Sequence, residues 1–91
     1  MTYKFKASKR FWKSFEALPA AQRAAARSAL RIFKQDPFDP RLRTHKIHRL
    51  SAALKHTVHA VVIEGDLRAA FYIEGDMIHS FAIGTHDIYK P

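Results

Sequence analysis

The chain has 91 residues, 47% of them apolar and including seven Phe, which suits one domain with its own core and leaves no room for two. It has no Cys, no apolar run near the ~18 residues of a membrane span and no apolar stretch at its start, which excludes disulfide scaffolds, thiolate zinc sites, a spanning helix and a secretory signal. Sixteen Lys and Arg against eight Asp and Glu give +8, and residues 1–55 alone carry +11 while residues 56–91 carry −3. A basic surface of this size favours a polyanion or an acidic protein partner over a generically soluble role. A single cytoplasmic domain over 1–91 is expected, with no membrane contact and no cofactor.

Tyr3 to Ala7 alternates aromatic residues with Lys4 and Lys6, which predicts a short strand with one buried face. Ser8 is a candidate N-cap for a helix running to about Leu18, on which Phe11, Phe15 and Leu18 share a stripe beside Trp12. Pro19 suits the start of a second helix, and Ala20–Gln35 is rich in Ala. Ala26, Ala29, Leu30 and Phe33 fall on one side of it, with Arg23, Arg27, Arg31 and Lys34 on another. Asp36-Pro37-Phe38-Asp39-Pro40 stops the helix, because each Pro disfavours helical geometry in the residue before it. A basic connector, Arg41 to Lys46, then enters a short strand near His45–Leu50. Thr57–Glu64, Leu67–Glu74 and Met77–Gly84 are rich in β-formers and are separated by two Glu-Gly-Asp turns, which predicts an antiparallel three-strand meander. The order β-α-α-β-β-β describes an α+β domain, with two N-terminal helices packed on a small, mostly antiparallel sheet.

Six His raise the question of a metal. His45-Lys46-Ile47-His48 and His56-Thr57-Val58-His59 both read H-x-x-H, but on extended chain residues three apart point to opposite faces. No metal site is expected, and His56 and His59 read as half-exposed strand positions. Gly-rich phosphate loops and G-x-S-x-G are absent from the sequence, and the acids fall mostly in turns. What remains near strand ends is His45, Lys46, Arg68 and His86, with Tyr89 close behind. Such a set suits RNA cleavage without metal. A base takes the 2′-OH proton, the oxygen attacks phosphorus, an acid protonates the departing 5′-oxygen, and cations stabilise the phosphorane. Histidine serves as acid or base near neutral pH, and Arg makes bidentate phosphate contacts.

Three blocks in order are Pro40-Arg41-Leu42-Arg43-Thr44-His45-Lys46-Ile47, Asp66-Leu67-Arg68-Ala69-Ala70-Phe71 and Ile83-Gly84-Thr85-His86-Asp87-Ile88-Tyr89. With the strand-helix-helix start, they resemble the RelE/ParE superfamily of bacterial type II toxins over nearly the whole chain, and more closely the RelE/YafQ-like mRNA interferases. The resemblance implies that His86 takes a catalytic acid/base position, where RelE itself has an arginine, and that His45 takes that of a second catalytic histidine. Asp66 matches an acidic site residue, and Tyr89 falls near a base-stacking aromatic in a last block one residue shorter than usual. Arg68 fits the widespread third-strand arginine, which holds phosphate or braces the sheet. One histidine of the YafQ-like site is missing: its position is Val62, and His59 lies three residues earlier on the opposite strand face.

Each position also has an ordinary reading. His86 could cap a strand end, His45 could be a solvated connector residue, Asp66 a turn former and Arg68 an ion-pair partner. Lys46, Arg41, Arg43 and the stripe Arg23, Arg27, Arg31, Lys34 are candidate RNA-phosphate contacts, or simply solvated cations. The expected function is a toxin that cuts mRNA, on the ribosome, and is neutralised by an acidic antitoxin. The alternatives are a ParE-like inhibitor of DNA gyrase and a non-catalytic RNA- or ribosome-binding module.

Overall fold

The computed structural model describes residues 3–89 and, of His86, the main chain only. Strand β1 (Lys4–Ala7) turns Phe5 and Ala7 inward and leaves Lys4 and Lys6 exposed. Ser8 caps helix α1 (Lys9–Glu16), its Oγ accepting the Phe11 N–H at 3.1 Å, a contact worth about 1 kcal/mol. Phe11 and Phe15, one turn apart, are buried, whereas Trp12 is 47% exposed. Helix α2 (Ala20–Gln35) follows Pro19 and buries Ala26, Ala29 and Phe33. Arg23 reaches back to the end of α1 and donates to the carbonyl oxygens of Leu18 at 2.5 Å and Glu16 at 3.3 Å, satisfying acceptors the helix end leaves open.

After α2 the Asp36 carboxylate accepts the Phe38 N–H, and a 3-10 turn at Pro40–Leu42 is capped by Asp39 and pinned by buried Leu42. Here the structure departs from the sequence reading. The strand expected near His45–Leu50 ends at Lys46 (β2, His45–Lys46), and His48–Leu54 forms a third helix, α3. The Ile47 N–H donates to the Val58 carbonyl at 2.8 Å. Ser51 Oγ then donates to the Ile47 carbonyl and accepts the Val58 N–H, both at 2.8 Å. Seven residues are too few for a helix that stands alone, so these bonds and the burial of Leu50 hold it.

Strands β3 (Val58–Glu64), β4 (Leu67–Glu74) and β5 (Met77–Gly84) form the expected meander. Gly65 and Gly75 open its two hairpin turns at φ 48° and 63°, a region that favours glycine. The sheet runs β1-β5-β4-β3-β2, antiparallel except for the β1–β5 pair. Ala70 faces Ala82 but Phe71 faces Ser80, so Phe81 is an extra residue, a bulge. It re-phases β5. Ile78 and Ile83, five apart, both join the core under α1 and α2, while Phe81 and Ala82 turn to the opposite face. The helix-side core is centred on Phe71, in edge contact with Phe33 at 4.9 Å. A smaller cluster on the other face joins Ile47 and Leu50 to Val58, Ala60 and Ala70, with Ile88 and Tyr89 against it. Among the described residues, no helix is long and apolar enough to cross a membrane.

Candidate active site

The face opposite α1 and α2 is bounded by α3 at one edge and by the 3-10 turn His86–Tyr89 at the other. Register places the expected residues on it. Arg68 on β4 lies opposite Val62 on β3 and Gly84 on β5, and His45 on β2 lies opposite Ala60. Directly opposed residues of neighbouring strands point to the same side, so His45, Val62 and Arg68 share this face. Two strand spacings and two residues separate His45 from Arg68, about 12 Å between Cα atoms. Only short side chains, Ala60, Val62 and Ala70, lie between them.

Arg68 is half-buried and donates through Nη1 to the Gly65 carbonyl at 2.6 Å, which folds the guanidinium back over its own hairpin. Its Nε is buried without a hydrogen-bond partner. Tyr89 comes to it from the C-terminal turn. Burial raises the Tyr89 phenol above its usual range, the Arg68 charge and a hydrogen bond with it work against that shift, and Asp66 adds to it. Arg68, Tyr89 and Asp66 therefore form one electrostatic unit, although Asp66 itself is an exposed hairpin residue. The shortened last block still delivers Tyr89 here, because Gly84 leads into a tight turn in which the Ile88 N–H donates to the Thr85 carbonyl. A Cβ on Gly84 would stand 3.0 Å from Ile88 Cγ2, tighter than an ordinary contact, so the Ile88 side chain would have to give by a few tenths of an ångström. The His86 main chain opens the turn two residues beyond Gly84, and its side chain lies outside the described residues.

His45 is exposed, with Nδ1 2.9 Å from the Arg43 carbonyl oxygen. A carbonyl only accepts, so Nδ1 carries the proton and Nε2 of the neutral ring keeps its lone pair. Arg43 adopts a left-handed conformation, φ 49°, in the turn that presents that carbonyl. Arg41 is tied to Asp39 by two contacts of 3.0 Å, whereas Arg43 and Lys46 are exposed. The stripe of α2 is on the other layer of the molecule. Arg23 closes α1, Arg27 sits 5.6 Å over the Phe15 ring, and Arg31 and Lys34 flank Trp12. The sheet thus separates all four from the Arg68 face.

His59 is on the helix side as well, stacked on Phe71 at 5.6 Å and met edge-on by Phe38 at 5.3 Å. It does not replace the histidine missing at Val62. The sequence reading also missed a stack across the strands, in which Tyr72 lies between His56 at 4.5 Å and His79 at 4.7 Å. The register Val58–Tyr72–His79 creates it, and no local pattern announces a pairing between strands.

No protein-family model and no curated protein sequence matches the chain. Solved structures do. The archaeal RelE–RelB complex from Pyrococcus horikoshii matches with a TM-score of 0.70 at 19% identity, over 93% of this chain and 96% of that one. YafQ from E. coli matches with a TM-score of 0.71 at 14% identity, over 99% and 100%. The E. coli DinJ–YafQ complex gives 0.63 at 15% identity, over 99% and 100%. At these identities the likeness is one of fold, and the chain carries the RelE/YafQ-like toxin fold over nearly its whole length.

Proposed function

We propose that this chain is a single-domain, cytoplasmic toxin of a type II toxin–antitoxin pair, an endoribonuclease that cuts mRNA on the ribosome and so stops translation. One observation carries the reading: Arg68, Tyr89 and Asp66 gather at one end of the sheet face that also bears His45, beside the strand end leading to His86. In this reading His45 Nε2 takes the 2′-OH proton, its ring oriented by the Arg43 carbonyl. The 2′-oxygen attacks phosphorus, and His86 protonates the departing 5′-oxygen, leaving a 2′,3′-cyclic phosphate. Arg68 stabilises the charge that builds on the phosphorane. Tyr89, kept in its phenol form by burial, offers a ring and a donor beside the guanidinium, and Asp66 steadies that pair. Arg43 holds a flanking phosphate, with Arg41 joining it when it leaves Asp39, whereas Lys46, paired with His59 across β2 and β3, points to the helix side and is not part of this set.

Two of the similar structures are complexes, RelE with RelB and YafQ with DinJ, which supports an antitoxin as the protein partner, and the +8 charge of this chain favours an acidic one. The test is the purified chain on mRNA, with and without ribosomes and with EDTA. Cleavage that survives EDTA and is lost in His86→Ala and Arg68→Ala supports the reading. Gyrase inhibition with intact RNA would assign the chain to the ParE-like class, and RNA binding without cleavage would make it a non-catalytic module.

A further inference from the structure

His45 is an exposed ring on a strand of two residues, which is too short to hold its own backbone in place. The chain on either side of it is fixed instead. On the far side the Ile47 N–H is bonded to the Val58 carbonyl at 2.8 Å. On the near side the Thr44 hydroxyl donates to the Pro37 carbonyl at 2.6 Å, seven residues back in the chain. That carbonyl is a rigid anchor. Pro37 is buried, its ring locks φ, and the Asp36 N–H before it is tied to α2 through the Ile32 carbonyl at 2.9 Å. Between the two ends of this clasp Leu42 is 1% exposed, and the Arg43 N–H donates to the Pro40 carbonyl at 3.2 Å. Arg43 then reverses the chain with a left-handed φ of 49°, and its carbonyl oxygen comes to 2.9 Å from Nδ1 of His45. A left-handed arginine is costly and persists only where its surroundings hold it.

We propose that Thr44 is a positioning residue for His45: its clasp on Pro37 holds Arg43 left-handed, so that the Arg43 carbonyl keeps the ring proton on Nδ1 and leaves Nε2 to accept. The inference rests on the reading of His45 as the base that takes the 2′-OH proton. An exposed imidazole with no such partner turns about its side-chain bonds and exchanges its proton between two nitrogens, and only one tautomer accepts at Nε2. Selecting that tautomer and direction in advance removes a search from the reaction, since a misplacement of about 1 Å costs about 10²-fold in rate. Thr44 meets neither the phosphate nor the proton, so its loss should act on the bound complex and not on RNA affinity. Arg43 divides its work in the same way, with the backbone carbonyl orienting the base and the guanidinium meeting phosphate.

The test uses the full chain with Thr44→Val, which keeps nearly the same shape and removes the hydroxyl, and Thr44→Ser, which restores it. Proton–nitrogen correlation spectra of the His rings read the tautomer, and loss of a signal in His45→Ala assigns it. With the ring neutral, the parent should carry its proton on Nδ1 of His45, Thr44→Val should average the two tautomers, and Thr44→Ser should return the parent pattern. On RNA, Thr44→Val should lower kcat by about tenfold to a hundredfold with KM within about twofold, and Thr44→Ser should recover most of that loss. Arg43→Gly keeps a left-handed backbone that glycine adopts freely and removes only the guanidinium, so it should retain the Nδ1–H signature while KM rises. A Thr44→Val protein that melts as a folded domain and keeps the parent tautomer overturns the inference. So does one whose tautomers average while kcat stays at the parent value. A parent chain that cuts no RNA defeats the ribonuclease reading by itself, and the ring spectra still decide whether the clasp sets the tautomer.

Discussion

Arg68→Ala is the perturbation that separates a working site from a structural brace. Arg68 donates to the Gly65 carbonyl at 2.6 Å and its charge acts on Tyr89, so its loss removes a charged hydrogen bond at a half-buried hairpin. Charged bonds of this kind contribute about 1.5–3 kcal/mol when buried, and screening at this half-exposed place leaves about 1–2 kcal/mol. For a domain of this size that lowers Tm by roughly 4–16 °C. A stability of about 5–15 kcal/mol absorbs such a loss and leaves the protein folded at 25 °C. Removing a donor aimed at developing charge, by contrast, slows reaction by about 10²–10³, or about 3–4 kcal/mol. The rate should therefore fall much further than the folded fraction. The assay pairs thermal melts with single-turnover cleavage of an mRNA, and Arg68→Lys should recover part of the rate by restoring charge without the planar fork. A second readout is the Tyr89 phenol. Arg68 holds it down against burial, so in a Tyr3→Phe, Tyr72→Phe background its ionisation should move to higher pH in Arg68→Ala. A folded Arg68→Ala variant that cuts at the parent rate would refute the assignment and leave Arg68 as a hairpin brace.

Replacing His45 by Ala should leave Tm nearly unchanged, because the side chain is exposed, yet cut the cleavage rate by about 10²-fold or more. Gly84→Ala should destabilise by about 1–3 kcal/mol and slow cleavage, since its Cβ meets Ile88 and pushes the turn that carries Tyr89. Adding Ile88→Ala should restore part of the rate, a rescue read by the same two assays. Burial, followed by the charges of Lys46 and His45, holds the His59 imidazole below its usual range. The folded state therefore binds fewer protons than the unfolded one, so this stability is present above about pH 6.5 and is lost as pH falls through the lowered value. Melting between pH 7.5 and pH 5 should show a falling midpoint, and His59→Phe should flatten the fall. An unchanged slope in that variant would remove His59 from the explanation.

Local chemistry was enough for most of the scaffold. Ser8, Pro19, the Ala-rich run to Gln35 and the two Gly-Asp hairpins act over a few residues, so α1, α2 and β3–β5 could be read from the chain directly. The candidate site residues His45, Asp66, Arg68, His86 and Tyr89 stand out as well, because they fall in recognisable blocks. The residues at 47–54 were not legible as a helix. Their helical state rests on bonds from Ile47 and Ser51 to Val58, and the burial of Leu50 belongs to a contact with β3 that a linear pattern does not contain.

What tertiary structure alone decided is which residues share a face. The helical period put Arg23, Arg27, Arg31 and Lys34 in one stripe, but the side of the sheet on which α2 packs set that stripe opposite Arg68. The bulge at Phe81 fixed the phase of β5 and so placed Gly84 beside Arg68, which in turn brings Tyr89 to it. Hydrophobic periodicity records only how each element meets its own interior, whereas a site depends on register between strands distant in the chain, and that is settled when the sheet closes on its helices.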